Sequence, residues 1–209
     1  MFIAKTPKLL SWVYPSCIWK IPNKSNQIFL TFDDGPTDSI TETVLSILKA
    51  ESIKATFFCV GKQIKRNPHL FQKILDEGHV VGNHTYDHLN GWKTNKNQYL
   101  NNAQKCQELT KSQLFRPPYG KISPWQLKTL KKNYSILMWD VAGGDFLSHL
   151  SSDDVVKNVV KNTESGSVIV LHDNLKFGEK MLSTLPEIIK QLKEKGFLFS
   201  PITNAHVHL

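Results

Sequence analysis

The sequence predicts one α/β domain built on parallel strands, and three observations carry that prediction. Short apolar runs alternate with longer helical stretches from residue 27 onward. There are seven such runs, too many for two independent domains in 209 residues. Polar clusters follow the runs instead of interrupting them. Strand–helix alternation implies parallel strands covered by helices, so a barrel-like or doubly wound sheet is expected.

Residues 1–26 lack the alternation and read as a lead-in segment. Within it, residues 9–19 with Trp12, Tyr14 and Trp19 are apolar enough for a membrane surface, although packing over the end of the domain is the expected role. The first strand is placed at 27–32 and a helix at 40–50. A second strand at 55–60 precedes a helix at 68–77, which Gly78 stops. A strand at 80–83 leads to a helix at 96–111. The run at 114–116 is followed by a helix at 124–132, announced by Ser123 ahead of Pro124. A strand at 135–139 opens the longest loop, 140–152, which contains Gly143 and Gly144. Ser152 ahead of two acids starts a helix at 153–162. The continuous apolar strand at 167–171 precedes a helix at 179–195, which ends at Gly196 before a last strand at 197–200.

Composition excludes several classes. A hydrophobic fraction of 40% with 21% charged residues belongs to a folded globular chain. The 26 Lys and Arg against 18 Asp and Glu leave a net charge of +8, which favours anionic partners without naming a reaction. No basic block interleaved with aromatics marks a nucleic-acid site, and none is expected. Cys17, Cys59 and Cys106 are too far apart for a thiolate metal site and read as free buried thiols. Lys5, Pro7, Lys8 and Pro15 break the apolar run that a signal peptide needs, and no stretch is long enough to cross a membrane, so a cytoplasmic location is expected.

The chemistry is expected at the strand ends. The clusters are Asp33-Asp34-Gly35-Pro36, His84-Thr85-Tyr86-Asp87-His88, Arg116-Pro117-Pro118-Tyr119-Gly120, Asp145-Phe146 and His172-Asp173. Parallel α/β folds build their sites at the carboxyl ends of strands, so five clusters converge on one mouth. His84 and His88, four residues apart, would face one ion from a helical turn. Alone, such a pair is often a surface feature, and Asp33-Asp34 alone could serve a turn or a cap. Two neutral imidazoles with one carboxylate make a three-ligand zinc set with open positions, as in catalytic sites. Such a centre suits hydrolysis of an amide or ester.

Taken together, Thr31-Phe32-Asp33-Asp34-Gly35, His84 to His88, Arg116-Pro117-Pro118-Tyr119, Asp145-Phe146 and Leu171-His172-Asp173 resemble the five ordered motifs of the polysaccharide deacetylases. That carbohydrate esterase family includes peptidoglycan, chitin and chitooligosaccharide deacetylases, and the resemblance covers roughly 27–200. It implies a distorted (β/α) barrel of about seven strands, a catalytic domain at 27–209, and metal-dependent removal of N-acetyl groups from a glycan substrate. It implies Asp34, His84 and His88 as ligands of a divalent metal, zinc first, with cobalt or nickel possible in such a donor set. Asp33 would be the general base, held by Arg116, and the Tyr119 backbone N–H would stabilise the oxyanion. His172 would protonate the leaving amine, oriented by Asp145. Pro118, Tyr119, Phe146 and Leu171 would contact substrate. Two departures stand out: Phe146 replaces the usual tryptophan, and Ala142 occupies a position that is often acidic.

Overall fold

Burial on both faces decides the strands. Ile28, Leu30 and Phe32 alternate with Phe29, Thr31 and Asp33, and all six are buried. Period-two alternation sends the first set outward to helices and the second toward the barrel interior. The computed structural model describes residues 2–207. Met1, His208 and Leu209, at the ends of the expected segments 1–26 and 27–209, lie outside the described residues.

Among the described residues nine strands form one sheet: β1 Cys17–Ile18, β2 Gln27–Asp33, β3 Thr56–Cys59, β4 Val80–Asn83, β5 Leu114–Phe115, β6 Ser135–Leu137, β7 Val141–Ala142, β8 Val168–His172 and β9 Leu198–Phe199. Eight run in the order β1-β6-β5-β4-β3-β2-β8-β7, with every pair parallel, while β9 joins the start of β2. One stretch, 135–142, pairs with β5 at its start and with β8 at its end, which curls the sheet into a distorted barrel. The helices are α1 Lys8–Val13, α2 Ile40–Ala50, α3 Gly61–Arg66, α4 Pro68–Asp76, α5 Lys96–Thr110, α6 Pro124–Leu130, α7 Ser152–Asn162 and α8 Gly178–Glu194.

The main core lies between β2, β3 and β8 and the inner faces of α2, α7 and α8, with Phe32, Leu45, Val159, Leu171 and Leu185 fully buried. A second cluster, with Phe29, Phe58, Leu114, Leu137, Val168 and Ile202, fills the barrel interior below the site. The three cysteines are free and buried.

Six expected helices and seven expected strands are present, most within one or two residues of their observed bounds. Four elements differ from expectation. β1 and β7 are two residues each, too short for any periodicity, and β7 starts inside the stretch expected to be a loop. α1 and α3 are six residues each and lack a side-chain cap, so no start signal marks them. Ser152 is the first residue of α7; Ser151 caps it, in a capping box with Asp154. The lead-in segment is woven into the barrel. Residues 4–6 run antiparallel to β7 (Thr6 N donates to Asp140 O at 2.8 Å), β1 extends the sheet, and Tyr14 and Trp19 pack on the cluster around Phe115. α1 departs from this, since it buries none of its residues.

Candidate active site

The end of β2 sets the centre. The β2–β8 register pairs Asp33 with His172, so these two side chains start side by side across the strand ends. Asp34, one residue beyond Asp33, has φ 85°, in the left-handed region. Next, the Gly35 N–H donates to Asp173 Oδ1 at 3.0 Å, and Thr41 Oγ1 donates to Oδ2 at 2.6 Å. A Cβ on Gly35 would sit 2.1 Å from Asp173 Oδ2, so only glycine fits against this buried carboxylate. Asp173 therefore straps the turn that carries Asp34. Burial, with Asp34 adding to it, pushes Asp173 up to about 8, against the pull of the hydrogen bonds from Thr41 and Gly35.

The ligand triad assembles around one oxygen. His84 Nδ1 lies 2.8 Å from the Arg116 carbonyl oxygen. A carbonyl only accepts, so Nδ1 carries the hydrogen and the Nε2 lone pair faces the site. That Nε2 is 3.5 Å from Asp34 Oδ1, and His88 Nε2 is 3.0 Å from the same atom. The three ligand atoms lie within 4.8 Å of one another. Asp34 Oδ1 is buried and receives no directed hydrogen bond. An orphaned anionic oxygen facing two imidazole nitrogens fits a divalent cation bound there. Burial opposes ionisation of Asp34, but the imidazoles beside it outweigh that and hold its carboxyl well below the usual range. The expected helical turn between His84 and His88 is absent. The stretch is a bend with Thr85 and His88 in the left-handed region, and this brings the ring centroids to 5.0 Å.

A base–acid pair flanks the triad. Arg116 is fully buried; its Nη1 donates to Asp33 Oδ1 and Thr31 Oγ1, both at 2.7 Å, and Nη2 to Met138 O at 2.9 Å. Its guanidinium lies 4.0 Å from the Phe58 ring centroid, on the barrel plug. Asp33 keeps Oδ2 free to point toward His84 Nε2, 3.9 Å away. Opposite, Asp145 accepts from the His172 backbone N–H at 2.7 Å and holds its Nδ1 at 3.1 Å, which turns Nε2 outward. Burial pulls the His172 imidazole down, but Asp145 outweighs it and, with Asp34 and Asp33, raises it to about 9.

Asp33, Asp34, His84, His88 and His172 line one cavity of about 520 Å³, together with Tyr119, Trp139, Ala142, Phe146, Val170 and Phe177, and with Lys121 and Lys176, while Arg116 and Asp145 support it from behind. Tyr119 is 58% exposed, packs edge-on to His88 at 4.6 Å and has φ 60°. Of the eight described non-glycine residues with positive φ, four (Asp34, Thr85, His88 and Tyr119) belong to this site. Backbone of this kind costs on the order of 1–3 kcal/mol per residue and persists where its surroundings over-determine it.

Two expected contacts are corrected. Leu171 is fully buried in the helix-side core, because strand alternation turns Val170 and His172 to the cavity and Leu171 away from it. Pro118 is buried and does not line the cavity; its exposed neighbour Tyr119 does. Phe146 stands 5.2 Å from the His172 ring, and Ala142 faces the same cavity, so both departures fall on one apolar wall. Sequence reasoning missed Asn174, whose Nδ2 donates to Asp34 Oδ2 at 2.6 Å while its Oδ1 accepts from Phe177 N at 2.9 Å. Its adjacency to His172-Asp173 was the available signal. Trp139, Val170, Lys121, Lys176 and Phe177 were missed as well, and nothing in their local pattern marks them.

The polysaccharide deacetylase family model matches residues 20–134, more than half of the chain. The chain belongs to the polysaccharide deacetylase family. Among curated relatives, a peptidoglycan-N-acetylglucosamine deacetylase of Bacillus cereus is 38% identical over 186 residues, 85% of this chain and 67% of the relative. Among solved structures, the Bc1960 peptidoglycan N-acetylglucosamine deacetylase, in complex with a naphthalenyl N-hydroxybenzamide, superposes with a TM-score of 0.87 at 36% identity. The match covers 94% of this chain and 95% of that one. A Bacillus anthracis protein described as a pseudoenzyme of the same esterase family also matches, with TM-score 0.80, 25% identity, and coverage of 92% of this chain and 69% of that one. Membership of this deacetylase family therefore settles the fold, while activity has to be argued from the side chains present.

Proposed function

We propose that this polysaccharide deacetylase hydrolyses the N-acetyl group of an N-acetylated amino sugar in a peptidoglycan-like or chitooligosaccharide-like glycan. Asp34, His84 and His88 would hold a divalent cation, zinc first, with cobalt or nickel accepted by the same donors. One observation carries the reading: an Arg116-held carboxylate and an Asp145-held imidazole face each other across the orphaned oxygen of Asp34. Non-catalytic relatives of this fold exist, and what supports activity here is that base, acid and all three ligands are present together.

The cation, when bound, polarises the acetyl carbonyl and eases deprotonation of water toward neutral pH. The chain supplies the rest. Arg116 holds Asp33 through Oδ1, which leaves Oδ2 free to accept the proton of the attacking water. The Tyr119 backbone N–H, presented by its left-handed turn, donates to the developing oxyanion. An amine leaves poorly unless it is protonated, and, against the pull of burial, Asp145 raises the His172 imidazole so that it favours the protonated form it needs as the acid. Asp145 holds Nδ1 so that Nε2 delivers that proton. Phe146, Trp139 and Phe177 form apolar walls that hold the acetyl methyl and limit water.

The test is acetate release by metal-loaded protein from N-acetylglucosamine oligomers and peptidoglycan, with acetylated xylan alongside. Release from the amino sugars that stops on chelation and returns on metal addition is expected. His84→Ala and His88→Ala should each lose stoichiometric metal. Full occupancy in either variant would refute the ligand set, and loaded protein that binds glycans but frees no acetate would make it a glycan-binding relic.

A further inference from the structure

The feature the catalytic reading leaves unused is the outer face of α1. Of the eleven large hydrophobic residues exposed among the described residues, five fall between residues 3 and 13: Ile3, Leu9, Leu10, Trp12 and Val13. Leu9, Trp12 and Val13 stand at i, i+3 and i+4, so they share one helix face, at 68%, 81% and 60% exposure. The base of α1 is nevertheless fixed. Tyr14 and Trp19 pack on the core cluster around Phe115, and the Tyr14 hydroxyl donates to Ile122 O at 3.4 Å. The apolar face is thus a presented surface, and a contiguous exposed patch of this kind marks an interaction site.

The charge beside it identifies the partner. A groove of about 400 Å³ separates Val13 and Tyr14 from Leu127, Lys128 and Lys131 of α6 and its end. Lys131 Nζ reaches across to Ser16 Oγ at 3.3 Å. Lys8 and Lys132 are exposed nearby in sequence. The first acidic residue of the chain is Asp33, and none occurs between residues 109 and 139, so both segments that build this face carry bases and no acid. An apolar stripe of one and a half turns holds a membrane only weakly; a polybasic rim beside it supplies the second signal that stable interfacial binding needs. Aromatic Trp12 is the side-chain type favoured at headgroup depth. A partner protein would meet the stripe equally well, but the groove beside it is lined by lysines and no acid. Asp140 and Glu164, which share a cleft with Lys8 and Ser11, are already paired with Lys5 and Lys20, so an anionic surface is the match.

We infer that α1 and the lysines at the end of α6 form a docking face for an anionic lipid surface. No helix among the described residues is long and apolar enough to cross a membrane. None of the residues invoked lines the catalytic cavity, so this inference and the proposed reaction fail independently.

Flotation of the full chain with phosphatidylcholine vesicles, with and without phosphatidylglycerol, tests it. Binding is expected only with the anionic lipid, falling as salt rises. Each of Lys128→Glu and Lys131→Glu should weaken it by about fivefold or more, the value of one lost lysine at such a surface. The double variant Leu9→Glu, Trp12→Glu should float no better than protein without vesicles, with its thermal transition unchanged because both side chains are exposed. Trp12 emission should shift to the blue on binding. Equal binding to neutral vesicles, or full binding by the Leu9, Trp12 variant, would overturn the inference. So would a Trp12-dependent dimer that ignores vesicles, since a second copy would then cover the face.

Discussion

Asn174→Ala is the most discriminating perturbation of the ligand set. Asp34 offers Oδ1 to the two histidines, and its Oδ2 is held by Asn174 at 2.6 Å. Among the described residues no other hydrogen bond holds that carboxylate, since Oδ1 has none. A hydrogen bond to a charged group contributes about 1.5–3 kcal/mol, which would be roughly 10- to 150-fold in affinity if it were all realised. Partners that orient metal ligands typically count for about 10- to 100-fold. Asn174 is only partly buried, so water can replace it in part and the lower half of that range applies. Asn174→Ala should therefore bind zinc about tenfold or more weakly in competition with a chromogenic chelator, with kcat recovering at saturating metal.

The same side chain closes a turn ahead of α8 by accepting from Phe177 N, so the alanine variant also loses a cap-like bond, worth about 1 kcal/mol. Asn174→Ser separates the two roles. Its hydroxyl can restore the turn but is too short to reach Asp34, so stability should return while metal affinity stays low. If the serine variant regains both, or the alanine variant binds metal like the parent, Asn174 does not orient Asp34.

Asp33→Asn should keep metal and lose turnover by about 100- to 10,000-fold, because an amide cannot take the proton; near-parental kcat removes Asp33 from the base role. His172 must be protonated to act, so amide hydrolysis should fall as pH rises through its pKa. The share of its raised value contributed by Asp34 is cancelled once a cation binds that carboxylate, which places the alkaline limb between the ordinary 6.5 and about 9. Asp145→Asn removes the strongest factor raising His172 and should move this limb to lower pH; an unmoved limb would assign it to another group. Gly35→Ala drives a methyl into Asp173 and should cost about 1–3 kcal/mol, read as a transition lowered by roughly 2–12 °C. An unchanged transition would show that the turn yields.

The legible part of the molecule is the part in which local chemistry and global position agree. Strands 27–33 and 168–172 are buried on both faces, so their apolar runs are continuous, and each ends where polar residues begin. The ordered motifs then named Asp33, Asp34, His84, His88, Arg116, Asp145 and His172, and all seven meet in one region. What escaped depends on distance in space. β1 and β7 exist only because β6 and β8 offer free edges. The bend at 84–88 follows from packing that holds Thr85 and His88 left-handed, whereas four-residue spacing by itself reads as a helix. Leu171 belonged to a motif but not to the cavity, since its neighbours in the strand face the other way.

Arg116 explains why base, ligand and barrel cannot be varied separately. Its carbonyl sets the tautomer of His84, while its guanidinium neutralises Asp33, so one residue orients both a metal ligand and the base. Thr31, Met138 O and the Phe58 face hold the buried guanidinium in place, although its Nε has no hydrogen-bond partner among the described residues. Removing a buried partner strands a charge at a cost of about 3–5 kcal/mol, so loss of Arg116 would damage the fold before it reported on catalysis. Arg116→Lys keeps the charge but has no fork with which to hold Asp33 and Met138 O together. Its metal content should stay near parental, because His84 is held by a backbone oxygen that the substitution leaves in place. Its turnover should fall with that of Asp33→Asn. A lysine variant that loses metal first would mean that the guanidinium, and not the backbone of residue 116, positions His84.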